Sequence, residues 1–434
     1  MLRLKVEMRE RSLLSDGTWL TGLQALAVLG QLVGVRLLTE ILPPAVFGEF
    51  SLWLGIVALA AAGLANPTMQ AMLRYYPEYA LQGNGWLVKT VAREQLVKLI
   101  AWTFPAFLAG AISALMFGWA NMTVLGLLIA LVAVEIARMQ STALLNVVSA
   151  HRAYGIWLVA EAWGRPFLAW TLVKSLGVSL PLVLAGFLVA SLCIWAVMRR
   201  SVPHDRKVPA VVTARSALVD RFWKYSLPLL PLGLLGWVSG MADRYMISAL
   251  LSPADVGLYV AIYGLASRPM LMFGGIVETT IRPAYQSALV EGDNRRAHNY
   301  LRKWAFLIVL GSLMAIALAW VGHPWLAHIL LGEQYRSVSY LLPWIVGGYA
   351  LYLQYQVVGR VCYAHGATLS ILLVEGFGAL LAIILGFICI KQAGLWGAAL
   401  AVSLYYGAQF VAGLFLSRKW LSHGSVEMRT GNVK

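Results

Sequence analysis

The sequence predicts an all-α integral membrane protein of about twelve transmembrane helices in two pseudo-symmetric six-helix lobes. Three observations predict it. Of the 434 residues, 60% are hydrophobic and 12% charged, and the mean hydropathy is +0.73, a composition unsuited to a water-exposed globule. The apolar stretches divide into lengths close to the about 20 residues that cross a bilayer as a helix. Three short phrases also recur in the same order in the two halves of the chain.

The twelve spans fall at 17–38, 47–68, 97–118, 123–147, 156–176, 180–198, 226–250, 256–280, 304–321, 339–360, 369–390 and 394–416. The leading segment MLRLKVEMRERSLLSDG carries too long a charged run, and too poor a cleavage site, for a secretory signal. The first span is therefore expected to remain in the mature protein.

A net charge of +15 invites a nucleic-acid reading, but the positions of the cations oppose it. Of the 34 Lys and Arg, 26 lie in segments on one side of the proposed membrane and three (Lys174, Arg336, Lys391) on the other, while five lie within spans. This is the positive-inside bias. It places both termini in the cytoplasm, with a basic linker at 199–225 between a first lobe at 1–198 and a second at 226–434; no nucleic-acid partner is implied. Cys193, Cys362 and Cys389 have neither zinc nor disulfide-framework spacing and read as packing residues.

The repeated phrases define an internal duplication. Pro44, Ala45, Gly48 and Phe50 recur as Pro253, Ala254, Gly257 and Tyr259, read as a tight outer turn that needs Pro and Gly. Arg74, Ala80 and Leu81 recur as Arg282, Ala288 and Leu289. SAHRAYGIWLVAEAWG (149–164) recurs as YAHGATLSILLVEGFG (363–378), which makes Glu161 and Glu375 equivalent. The extra residues of the second half are placed in the outer loop GHPWLAHILLGEQYRSV (322–338). An even number of spans per repeat gives the halves parallel topology, an arrangement suited to alternating access.

No phosphate loop, HExxH or GxSxG motif is present, and no outer loop exceeds about 18 residues, so transport is favoured over catalysis. Ionisable residues within spans cost about 2.5–3.5 kcal/mol each at a helix centre and so face a cavity or a partner. The five cations are Arg36, Arg138, Arg165, Arg244 and Arg268; the five acids are Glu135, Glu161, Asp243, Glu278 and Glu375. Glu135 with Arg138 and Glu161 with Arg165 have the spacing to neutralise each other along one helix. Asp243 and Arg244 point roughly 100° apart. Arg268, with no acid within four residues, stands out as a ligand-contacting cation.

Arg165 and Arg268 each precede a proline, which frees a helix carbonyl and marks a kink where a cavity can open. Glu161 and Glu375 admit two readings: a carboxyl pair that binds H+ or Na+ for coupling, or hydrogen-bonding residues near helix ends. Asp243 and Glu135 are further coupling candidates. His151 and His365 read as loop residues with no second metal ligand at suitable spacing. Trp and Tyr suit an aromatic interface belt, and the residues leave open whether Trp163 or Trp237 stacks on a sugar.

Over nearly the whole chain the sequence resembles a known family. YSLPLLPLGLLGWVSGMADRYMISALLSPADVGLYVAIYGLASRP, RPAYQSALVEGD and ILLGEQYRSVSYLLPWIVGGY, with RLLTEILPPAVFGEFSLW in the first half, are similar to polysaccharide-biosynthesis flippases of the Wzx type, in the multidrug/oligosaccharidyl-lipid/polysaccharide exporter superfamily. The resemblance implies a MATE-like fold of two lobes, and flipping of an undecaprenyl-pyrophosphate-linked oligosaccharide across the bacterial inner membrane for assembly of a surface polysaccharide: O-antigen of lipopolysaccharide, capsule or exopolysaccharide. It implies that the head passes between the lobes while the prenyl tail stays among membrane lipids, with a polymerase and chain-length regulator as partners. Twelve spans argue against the fourteen-span lipid II branch.

Guanidinium groups suit a pyrophosphate because they offer charge and paired hydrogen bonds. The substrate-binding candidates are Arg268, Arg36, Arg244, Arg165 and Arg138. No cofactor or metal is expected beyond an H+ or Na+ gradient. Three alternatives remain: an ion-coupled small-molecule antiporter of the same superfamily, a major-facilitator transporter, whose signature is missing between the second and third spans, and a glycan polymerase, which usually carries a long outer loop.

Overall fold

The computed structural model describes residues 2–148, 150–202, 212–364 and 367–422. Helices account for almost all of them, and no strand occurs among the described residues. In chain order they are α1 (Leu2–Ile41), α2 (Pro44–Leu81), α3 (Gly85–Met116), α4 (Met122–Val147), α5 (His151–Leu176), α6 (Leu180–Met198), α7 (Val212–Ser226), α8 (Leu230–Leu250), α9 (Pro253–Val290), α10 (Asn294–Leu330), α11 (Leu342–Ala364) and α12 (Thr368–Ser422).

Nine described helices are long and apolar enough to cross a membrane. The set leaves out α5, which carries Arg152, Glu161, Arg165 and Lys174, and α11, which is rich in tyrosine and glutamine. It treats α12 as one helix, although the chain turns at Ala393 (φ −134°) and Gly394 (φ 58°). The positive φ at Gly394 is one that a side chain resists, and a Cβ at Gly397 would collide with the Cys389 carbonyl, so this GLWG stretch makes the break. The two arms of α12, with α1–α6 and α8–α11, are the twelve expected spans.

Several helices outrun the membrane. At 1.5 Å per residue the 38 residues of α2 and of α9 reach about 57 Å, against about 30 Å of hydrocarbon. The expected outer loop at 322–338 is a correction of the same kind: α10 continues through Pro324 to Leu330, and a 3₁₀ segment, Glu333–Leu341, leads into α11. Tyr335 of that segment is fully buried, which gives it a small core of its own.

The turn expected at Pro44 and Pro253 is also different in kind. Both prolines stand at the start of a helix, where a missing N–H costs nothing. Gly48 and Gly257 lie buried inside α2 and α9 rather than at the turn, so the repeat preserves helix starts and close packing.

Two compact units divide the chain, Met1–Trp237 and Val238–Lys434. In the first, α1 packs on α5, α5 on α6, and α2 on α3 and α4. The second repeats part of this pattern, with α9 on α10 and α11. The helix α7 forms within the stretch read as linker, and it belongs to the first unit. Its Leu218 and Phe222 are fully buried among Tyr75, Tyr76, Leu87 and Val88. Arg221 donates twice to Glu78, both at 3.1 Å, and that carboxylate raises the guanidinium above its ordinary value. The rest of the linker (203–211, with Arg206 and Lys207), His365 and the tail from 423 lie outside the described residues.

Candidate functional site

In the first unit, α4 and α5 bring four of the sequence candidates into one cluster. Arg138 donates to Glu135 at 3.1 Å through Nε, with a second, shorter contact through Nη2. Through Nη1 it donates to Glu161 at 2.6 Å, and Arg165 donates to Glu135 at 2.8 Å. The expected pairing of Glu161 with Arg165 along α5 is corrected: among the described residues these two form no ion pair. Instead Arg138 on α4 bridges two carboxylates and Glu135 bridges two guanidiniums, a crossed arrangement that gives each shared group three charge-assisted bonds. Two carboxylates against two guanidiniums sum to zero charge. Glu161 Oε1 and Arg165 Nε remain buried without a hydrogen-bond partner.

In the second unit the candidates stand among tyrosines. Asp243 on α8 is buried; its Oδ2 accepts from Tyr259 OH at 2.7 Å and its Oδ1 from the Arg244 backbone N–H at 2.8 Å. Asp243 and Arg244 meet neighbouring tyrosines of α9, Tyr259 and Tyr263, whose rings stand 5.5 Å apart. Arg244 lies over the Tyr263 ring at 5.3 Å, and its Nε is buried without a hydrogen-bond partner. Arg268 on α9 curls back along its own helix: a Cβ at Gly264, one turn earlier, would stand 3.4 Å from its Cζ. Arg244 and Arg268 lie within electrostatic reach of each other. Both α5 and α9 run through the prolines that follow Arg165 and Arg268, and each proline leaves one helix carbonyl without its usual donor.

Glu375, on the first arm of α12, has only neutral donors among the described residues. Tyr355 OH donates to it at 2.9 Å and Gln409 Nε2 at 3.1 Å. Tyr355 is one of a chain of rings: Tyr259, Tyr263, Tyr349, Tyr352, Tyr355, with Tyr405 and Tyr406 of the second α12 arm. Tyr349 OH donates to Tyr263 OH at 2.8 Å.

The remaining candidates have partners of their own. Arg36 pairs with Glu40 at 3.6 Å within α1. Glu278 accepts from Arg282 at 3.0 Å and from Arg360 at 2.7 Å, joining α9 to α11. Trp163 Nε1 donates to the Leu26 carbonyl at 3.0 Å and Trp237 Nε1 to the Gly55 carbonyl at 2.8 Å, so both indole donors serve packing inside the first unit. His151 opens α5. Cys193, Cys362 and Cys389 are free thiols. Among the described residues no three His, Cys, Asp or Glu side chains converge to hold a metal.

Sequence reasoning missed the tyrosine chain. Its signal is visible in the spacing of Tyr259 and Tyr263 by four and of Tyr349, Tyr352 and Tyr355 by three, which lines rings along one side of a helix. It was hidden by the general abundance of aromatic residues, which an interface belt also explains.

Residues 168–340 match the family described as polysaccharide biosynthesis protein. No curated protein sequence matches the chain. Among solved structures, an inward-facing multidrug resistance MATE family transporter of the MOP superfamily is similar with a TM-score of 0.69 at 15% identity, over 93% of this chain and 95% of that one. The lipid II flippase MurJ, in an inward closed conformation, gives 0.69 at 15% identity, over 94% and 89%. A MOP superfamily transporter from Pyrococcus furiosus, described as having a binding pocket of reverse polarity, gives 0.56 at 16% identity, over 96% and 93%. The chain is a multi-pass membrane protein with the fold of MOP superfamily transporters and flippases, and over residues 168–340 it carries the sequence pattern of polysaccharide biosynthesis proteins.

Proposed function

We propose that the protein flips an undecaprenyl-pyrophosphate-linked oligosaccharide across the bacterial inner membrane by alternating access, driven by a proton gradient. The observation that carries this reading is the coincidence of a polysaccharide biosynthesis match with a fold also found in a lipid II flippase. In this reading Arg244 and Arg268 hold the pyrophosphate or acidic sugars, since guanidiniums match phosphate oxygens in charge and geometry. Arg138 and Arg165 are already occupied by Glu135 and Glu161 and are assigned a structural part. Glu375, held by a phenol and an amide, is assigned the coupling role because loss or gain of its charge breaks no ion pair.

The MATE likeness supports a second reading, an ion-coupled antiporter for small molecules. The two separate in spheroplasts lacking the gene. A flippase predicts complete lipid-linked repeat units that a membrane-impermeant glycosidase cannot reach, with access restored by the intact gene and not by Arg268→Ala at equal protein level. Normal exposure of the glycan without the gene favours the antiporter.

A further inference from the structure

A cavity of about 220 Å³ lies within the second unit between α9, α10 and α11. Its walls are mostly apolar, with Gly275, Trp304 and Leu353 among them, and three polar side chains, Glu278, Tyr352 and Gln356, stand in the lining. That volume exceeds what one water needs, and the three polar side chains supply the two to four partners that hold a water in place. Tyr352, Gln356 and Arg360 follow at intervals of four along α11 and form one polar stripe.

The two ends of this stripe differ. At one, Glu278 binds Arg360 at 2.7 Å and Arg282 at 3.0 Å, and the Arg282 side chain is 49% exposed. At the other, the Tyr352 ring stands 6.4 Å from the ring of Tyr355, whose hydroxyl donates to Glu375. The groups that face Glu375 are Tyr355 and Gln409 by hydrogen bond, with Tyr352 and Tyr363 within electrostatic reach.

We propose that this cavity is the water-filled route by which a proton reaches Glu375 from the Glu278 end. A proton enters the water at Glu278 and moves along it to Tyr352 and Tyr355. Each hydroxyl accepts one proton and donates another, so the carboxylate gains one proton and the water column loses one. The inference rests on the proposed coupling role of Glu375 and adds the path and its direction.

The test uses the full chain with its three cysteines replaced by serine, in intact and everted vesicles. Single cysteines are placed at Gly275, where an added Cβ meets nothing within 4 Å, at Gln356, and at Leu310 on the exposed surface of α10. The probe is methanethiosulfonate ethyltrimethylammonium, a permanently charged reagent that attacks thiolate, a form that exists only in contact with water. The route predicts that Gly275→Cys and Gln356→Cys react at least about tenfold faster than Leu310→Cys, from the Glu278 side alone. It also predicts that Gly275→Leu, which fills the cavity, cuts the Gln356→Cys rate by about the same factor. Rates equal to that of Leu310→Cys at both positions overturn it, even where Glu375→Gln abolishes gradient-driven flipping. Rapid labelling combined with unaltered gradient dependence in Glu375→Gln upholds the hydrated cavity and overturns the coupling role instead.

Discussion

Glu161 and Glu375 occupy equivalent places in the duplicated sequence, five residues before Pro166 in one case and about two turns into α12 in the other, yet their surroundings have little in common. Glu161 is clamped by Arg138 at 2.6 Å inside a four-charge cluster. Glu375 is held by a tyrosine hydroxyl and a glutamine amide. A duplicated carboxyl has thus been retained while the partners around it diverged. A buried charge held by opposite charges is fixed, because removing either side strands the other. One held by neutral donors can lose its charge and leave nothing unpaired.

The strongest way to break this contrast is Arg138→Met. It removes the clamp and leaves Glu161 buried without its cation, at an expected cost of about 3–5 kcal/mol, read from unfolding of the purified protein in detergent. Adding Glu161→Met in the same chain should recover most of that loss. Equal losses in the single and double variants contradict a coupled cluster.

Next in size is Tyr355→Phe in the second unit. It deletes one donor to Glu375, for an expected loss of about 1.5–3 kcal/mol with a charged acceptor and less with a neutral one. Comparing that loss at acid and neutral pH sharpens the contrast: a loss that shrinks in acid identifies Glu375 as the group that changes charge. The smallest effect is expected for Arg282→Ala. Glu278 keeps Arg360, and a half-exposed ion pair is worth about 0.2–1 kcal/mol, which the same unfolding measurement resolves against wild type.

The helices were largely legible because apolar runs of membrane length leave little freedom, and even the two arms of α12 were separable at Gly394. Elements outside the hydrocarbon were less so. The stretch containing α7 reads as a linker because its charges dominate; that Leu218 and Phe222 anchor it emerges only once α2 and α3 present a surface. Residues 322–338 read as loop because Gly322, Pro324 and Gly332 punctuate them. At the candidate site the residues were identifiable by type, since Glu and Arg within a span are costly anywhere. Their pairing was not, because along one helix Glu161 meets Arg165, and only the approach of α4 supplies Arg138 in its place. The tyrosines around Asp243 and Glu375 come from α9, α11 and α12, positions far apart in sequence.

The asymmetry between the two carboxyls is tested most directly by reconstituting the protein with a lipid-linked oligosaccharide and measuring flipping with and without an imposed proton gradient, in Glu161→Gln and Glu375→Gln chains. The proposal predicts that Glu375→Gln flips at the same rate with and without the gradient, whereas Glu161→Gln keeps the gradient response and loses thermal stability. A gradient response that survives Glu375→Gln and disappears in Glu161→Gln contradicts it.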